Sequence, residues 1–563
     1  MINLSEIDKN FDEEYDSVQL TFTSRELAIW RFLTVIEDFT RINYIKIGSI
    51  DPVSLSIKLD DMKYVYKFAI NRIYREFKSF PNANLKFSTN KKSYLEYFNL
   101  IEKTLNYKKS VHLMSMLYSE IFTIKSKEEN YYHIDYKHNY NINYNILESI
   151  GINKPRTDDF IEILFEFYFN HPKSFLIDEI TNILINNINL KKRSIKYKFN
   201  VDLFNKIINS TGHLKRQVLN TEKLNYSWGD SNLTQKLIDA LIFRCLYHLL
   251  CIRVANIKFN FIGGFEDSLV LIINKSILIN DLSLISNIKD KNQIKNFLEF
   301  MEFPNKLEKA LNSDAALQPL FLHGENYFIP CFHIIESNIE RNLTTLFARN
   351  GAKEFNKQSH IFEKQMISQI EEKLDNKIYR KNYKIRINKK DQEFDFLFID
   401  NINKKLLIIE LRWMIQPADP REVINKMNAC KEKINKVKEK KEFIKNNIFE
   451  FSKDLNIPLL QEYSIDGIIV IDGYSGLFTE NLMIPLVPFE IFNIALKNTK
   501  DFNHLYNSLS SLDWLPKENK HFNLRFYNLK NKDNIFKVPG LEILEELPLN
   551  YIRLLDSFFK NFK

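Results

Sequence analysis

Two apolar runs late in the chain, EFDFLFID over 393–400 and KLLIIELRWM over 405–414, are separated only by residues 401–404. Both are rich in aromatic and β-branched residues, and so short a connection joins two strands only as an antiparallel hairpin. With the turn centred between Ile402 and Asn403, Asp400 pairs with Lys405 and Asp395 with Glu410. Strict alternation puts Glu393, Asp395, Leu397 and Ile399 on one face and Phe394, Phe396 and Phe398 on the other. Leu406, Ile408, Glu410 and Arg412 share a face of the second strand. Opposed residues have β-carbons about 4.5–5.5 Å apart, so two carboxylates would confront one another within an apolar sheet. A divalent cation removes that conflict, because Mg²⁺ and Mn²⁺ take hard oxygen ligands from acids. Arg412 then adds a positive charge where a phosphate would approach. Two blander readings remain open, a protonated carboxyl pair and an ion pair to Arg412, and a one-residue slip of register would undo the juxtaposition.

The surrounding pattern changes at Gly351. From about residue 60 to 350 apolar residues recur every three or four positions, as in KYVYKFAINRIYREF and QKLIDALIFRCLYHLLCIRV, which predicts mainly helices. Strand-like interruptions are expected at DSLVLIINKSILI and at PLFLHGENYFIPCF, where HGEN reads as a hairpin turn. Helix returns in HIIESNIERNLTTLFARNG, with Asn350 and Gly351 as a C-cap pair. Beyond it the order is helix (FNKQSHIFEKQMISQIEEKL), two strands, a long helix (PREVINKMNACKEKINKVKEKKEFI) and further strands at DGIIVIDG and MIPLVPF. At 563 residues the chain should hold about three structural units. The expected division is an N-terminal region at 1–150, mainly helical with some strand, a helical middle region with short hairpins at 151–345, an α/β domain at 346–490, and a C-terminal extension packed on that domain at 491–563.

Asp395, followed on the next strand by Glu410-Leu411-Arg412, resembles the D…(D/E)xK core of the PD-(D/E)XK nuclease superfamily, whose fold is the restriction-endonuclease-like one. The family also carries a glutamate on the helix before the sheet, and Glu363, in IFE, stands at that position. The resemblance covers roughly 350–490. It implies a central mixed sheet flanked by helices, Mg²⁺ (or Mn²⁺) held by Asp395 and Glu410 with Glu363 acting through water, and phosphodiester hydrolysis. The chain departs from the family pattern twice. Phe394 replaces the proline, and Arg412 replaces the lysine. A guanidinium cannot serve as a general base, which leaves Arg412 to orient phosphate and stabilise charge. A lysine supplied by the long helix, such as Lys426 or Lys431, is the second choice for the missing group.

Charge supports the same direction. Lys and Arg exceed Asp and Glu by 79 to 71, a mild excess that is concentrated in 421–445. Arg421, Lys426, Lys431, Lys433 and Lys438 are the candidate nucleic-acid contacts, although Ile424, Met427, Ile434, Val437 and Ile444 first make this helix amphipathic with a solvated basic face. The longest apolar helical stretch, Leu237 to Ile257, carries Asp239, Arg244, His248 and Arg253 and fails as a membrane span. An acidic N-terminus unlike a secretory signal points to a cytoplasmic protein. Cys245, Cys251, Cys331 and Cys430 lack metal-knuckle spacing and read as core thiols, His248 as a core histidine, and His133, Asp135 and His138 as part of a Tyr/Asn-rich loop. GxxxxGK[ST], HExxH and GxSxG are absent.

The expected function is therefore a Mg²⁺-dependent endonuclease acting on DNA rather than RNA, of a build similar to host-defence effectors against phage. Its helical N-terminal region would engage a protein partner or a second copy, and no membrane. The alternative is a nuclease-fold protein that has lost activity through the lysine change and binds nucleic acid as a scaffold. A helical protein-binding adaptor is the third reading.

Overall fold

A computed structural model of the protein describes residues 3–21, 23–46, 52–80, 87–137, 140–149, 175–191, 194–210, 224–259, 266–374, 377–417, 420–474, 476, 479–480, 484–544 and 547–562. The protein is α/β, helical in its N-terminal part, and divides into two compact units. One comprises 9–109 and 155–358, the other 1–8, 110–154 and 359–563. Residues 110–154 thus join the C-terminal unit instead of forming one region with 1–109, and the main boundary falls at 358/359.

The first unit is built around helix Ser231–Lys258, capped by Asp230, whose side chain accepts the Leu233 N–H at 2.8 Å. Two of the polar groups that excluded a membrane span, Arg244 and His248, have partners inside the protein. Arg244 donates to Asp281 at 2.8 Å and to the Tyr197 hydroxyl at 3.1 Å. His248 lies 2.7 Å from that hydroxyl and 2.8 Å from the Ser268 carbonyl, and burial lowers its pKa to about 3, as befits a neutral core histidine. HGEN is the turn of a hairpin, Phe321–His323 with Asn326–Pro330, and Gly324 supplies the left-handed backbone there (φ +56°). DSLVLIINKSILI is only half strand. Val270–Asn274 is extended, after which the Asn274 side chain accepts the Ser276 N–H and starts helix Lys275–Ser286. The helix at 339–350 ends at Gly351 as expected, but at φ −131°, so no left-handed cap is present.

In the second unit, helix α1 (Ala352–Glu371), most of which belongs here, precedes strands β1 (Ile378–Ile387), β2 (Lys390–Asp400) and β3 (Lys405–Trp413). Helix α2 (Pro420–Asn446) and helix α3 (Ile448–Leu455) lead to β4 (Ser464–Asp472) and β5 (Leu486–Pro488), then to helices α4 (Phe489–Asn498) and α5 (Phe502–Ser510). The five-stranded sheet has the order β5-β4-β3-β2-β1, antiparallel across β1, β2 and β3 and parallel across β3, β4 and β5. It is therefore mixed, as expected. Pro420 opens α2, where its missing N–H costs nothing.

One face of the sheet packs Leu397, Ile399, Leu406 and Ile408 against Ile444 of α2 and Phe451 of α3. On the other face Phe398 stacks on Phe502 of α5 at 4.4 Å. Gly467 lets α2 approach β4 closely, since a β-carbon there would fall 2.4 Å from Val437. A second sheet of four strands joins hairpin Phe122–Glu128/Tyr131–Tyr136 to hairpin Phe522–Asn531/Asn534–Ile543. His133 and Asp135 accordingly sit on a strand rather than in a loop. Asp135 pairs with Lys125, and the His133 ring lies against Phe526 at 5.4 Å. His138 lies outside the described residues.

Candidate active site

The β2–β3 hairpin has the register that its short turn demands. Asp400 pairs with Lys405, and Phe396 with Ile409. The turn is pinned by Asp400, whose two carboxylate oxygens accept the Asn403 N–H and side-chain amide, each at 2.9 Å. The paired positions end at Phe396 and Ile409, and Asp395 and Glu410 are the next residues on the two strands.

Strict alternation fails at Asp395. Phe394 packs in the same cluster as Leu397 and Ile399, whereas the sequence pattern put it with Phe396 and Phe398 on the opposite face. The β1–β2 ladder skips this residue, pairing Phe394 with Tyr383 and Phe396 with Lys381, and the facing Asn382 has left-handed backbone (φ +45°). This local break turns the Asp395 carboxylate toward the neighbouring strand, where its Oδ2 accepts the Leu411 N–H at 2.7 Å.

Glu410, only 2% exposed, points toward α2. Lys433 Nζ lies 3.4 Å from its Oε2, and Lys440 Nζ is hydrogen-bonded to its Oε1. Burial, followed by the charge of Asp395, raises the Glu410 pKa, and Lys440 and Lys433 oppose that rise. The Lys440 ammonium also sits 5.3 Å above the Phe394 ring. Lys441, the next residue, pairs instead with Asp466 of β4 at 3.2 Å.

These contacts revise the expected roles along α2. Met427, Cys430, Ile434, Val437 and Ile444 form the buried stripe, and Arg421 and Lys438 are exposed. Lys433, expected on the solvated nucleic-acid face, turns inward to Glu410. Lys426 and Lys431 stand as the expected sources of a displaced lysine, whereas the lysines seen against Glu410 are Lys433 and Lys440. The signal was available in the spacing, because Lys433 and Lys440 stand four before and three after the fully buried Val437 and share its side of the helix.

Arg412 and Glu363 form a separate pair, with Arg412 Nη1 3.7 Å from Glu363 Oε1 and side chains 48% and 31% exposed. At that exposure the pair adds little stability and leaves the guanidinium open to a ligand. Beside it Phe362 stacks on Trp413 at 4.0 Å, which fixes α1 against the end of β3.

No group of three or more His, Cys, Asp or Glu side chains suited to a metal occurs among the described residues, so Glu363 does not complete a three-carboxylate set with Asp395 and Glu410. The remaining donors still suit a hard cation, since Mg²⁺ is commonly held by one or two carboxylates with water filling the other positions. Asp395 and Glu410 supply that number and type, provided that lysine yields an oxygen of Glu410. No protein-family model matches the chain, and searches of curated proteins and of solved structures return no match.

Proposed function

We propose that the C-terminal unit is a metal-dependent nuclease domain of the PD-(D/E)XK kind, hydrolysing phosphodiester bonds of DNA. The observation that carries this reading is the convergence on two adjacent strands of Asp395, Glu410 and the helix-borne lysines Lys433 and Lys440. A carboxylate pair with neighbouring ammonium groups has little to offer a sheet as packing, because a hydrophobic set of the same volume is often as stable or more so.

Asp395 and Glu410 would hold Mg²⁺ or Mn²⁺, which when bound lowers the pKa of a coordinated water and neutralises charge on the phosphate. The Leu411 N–H orients Asp395 by holding one of its oxygens. Lys433 and Lys440 stand where an ammonium can meet the charge that develops on a scissile phosphate, a role that the family assigns to the position of Arg412. Arg412, more exposed, is placed to orient a neighbouring phosphate. The exposed Arg421 and Lys438 on α2 provide backbone contacts that do not depend on sequence. A role in host defence, a cytoplasmic location and a partner for the helical unit belong to the same proposal by analogy of build.

The test is incubation of the full chain with supercoiled plasmid, linear duplex and single-stranded DNA and RNA, in Mg²⁺, Mn²⁺ or EDTA. Cleavage with either metal and none with EDTA supports the reading. Salt-sensitive binding without cleavage under any condition favours the scaffold alternative, for which the lysine-neutralised Glu410 is the specific support.

A further inference from the structure

We propose that Lys440, assisted by Lys433, is an internal counter-cation that competes with divalent metal for Glu410, so that the site is latched by lysine until metal takes its place. The inference rests on the reading of Asp395 and Glu410 as metal ligands and adds the regulation of that site.

The starting point is charge. Asp395 and Glu410 carry two negative charges, and the two ammonium groups that contact Glu410 carry two positive ones, so the cluster is already neutral without metal. Burial makes this neutrality matter, because Glu410 is 2% exposed and the Lys433 and Lys440 side chains 19% and 12%. A charge so enclosed must be matched locally, since solvent does not screen it.

Geometry sets the two kinds of cation in competition at Glu410. Each of its oxygens already lies against an ammonium nitrogen. A cation placed between Asp395 and Glu410 needs at least one of those oxygens, and an ammonium left beside it would be repelled. The lysines are also aimed rather than wandering. Val437, between them on α2, is locked against Gly467, and the Lys440 ammonium rests over the Phe394 ring. Side-chain rotation frees Lys440 from Glu410 without moving the helix. The released ammonium then faces any phosphate held at the metal, so one group serves as latch in the empty site and as phosphate contact in the filled one.

Mn²⁺ binding to the full chain, followed by titration calorimetry and by the loss of the free Mn²⁺ paramagnetic signal, tests the latch without reference to cleavage. Lys440→Gln is expected to tighten Mn²⁺ binding by about tenfold or more, a modest fraction of the repulsion between adjacent buried charges. Lys433→Gln should tighten it by less. Lys436→Gln, an exposed charge on the same helix, should change it by less than about twofold. The rise in melting temperature caused by Mn²⁺ should be larger for Lys440→Gln than for wild type, because metal restores the charge that the variant lacks. Wild-type binding that is abolished by Glu410→Gln but unchanged or weakened in both Lys440→Gln and Lys433→Gln overturns the latch and leaves the metal site standing. Binding that is unaffected by Asp395→Asn and Glu410→Gln, or absent from every variant, overturns the metal site itself and the latch with it.

Discussion

At the scale of single residues, charge placement decides more here than side-chain size. Glu410 was expected to suffer repulsion from Asp395, which would make its removal stabilising. In the structure the charge of Asp395 does act on Glu410, but two lysines pair with it as well, and losing one partner of such a buried set typically costs about 3–5 kcal/mol. A second enclosed acid, Glu37, accepts the backbone N–H groups of Phe332 at 2.8 Å and His333 at 3.3 Å, and the Tyr66 hydroxyl at 3.2 Å. Burial nevertheless pushes its pKa from 4.5 up to about 8. The folded state therefore binds the proton more tightly than the unfolded one, and stability falls as pH rises between these two values. Melting curves of wild type and Glu37→Gln, compared from acid to mildly alkaline pH, should show the wild type losing ground to the variant across that interval. A constant difference would mean that Glu37 titrates normally.

Among the elements, the hairpin and α2 were legible in the sequence and the irregularity at Asp395 was not. A turn centred between Ile402 and Asn403 sets Asp400 opposite Lys405, and that register is present from Asp400 to Phe396. Alternation predicts faces only while the ladder is regular, and the paired irregularity at Asp395 and Asn382 is a property of two strands that neither sequence segment announces alone. The inward turn of Lys433 and Lys440 was hidden for a different reason. Lysine on an amphipathic helix is ordinarily solvated, and only a buried acid on the facing strand, here Glu410, makes the inward rotamer favourable. The position of α2 is set by Gly467, whose missing side chain admits Val437. Gly467→Ala should displace the helix or strain its packing, at a cost of about 1–3 kcal/mol in unfolding free energy. Gly467→Ala with Val437→Ala should recover most of that loss, and an unchanged melting temperature in the single variant would show that the helix packs less closely than described.

For the whole molecule, chain order is a poor guide to which parts fold together. Segment 110–154 lies more than 200 positions before the five-stranded sheet, yet it belongs to the same compact unit. Its strand Tyr131–Tyr136 pairs in parallel with Asn534–Ile543, and the Tyr144 hydroxyl donates to the Leu486 carbonyl at 2.8 Å. Pairing partners so distant in sequence leave no periodic trace in either segment, which explains why the 346–490 region read as self-contained. A fragment of residues 346–490 should therefore be insoluble or unfold without cooperativity, whereas a soluble fragment with a sharp melting transition would show that the added segments are dispensable. No helix among the described residues is long and apolar enough to cross a membrane. The central claim, that Asp395 and Glu410 form a hydrolytic metal site, is tested most directly by single-turnover cleavage of a labelled DNA duplex by the full chain in Mg²⁺ or Mn²⁺. The comparison is wild type against Asp395→Asn and Glu410→Gln, with circular dichroism confirming the fold of each. Wild-type cleavage that disappears in both folded variants is the expected result; cleavage retained by either variant, or no cleavage by wild type with any metal, would contradict the claim.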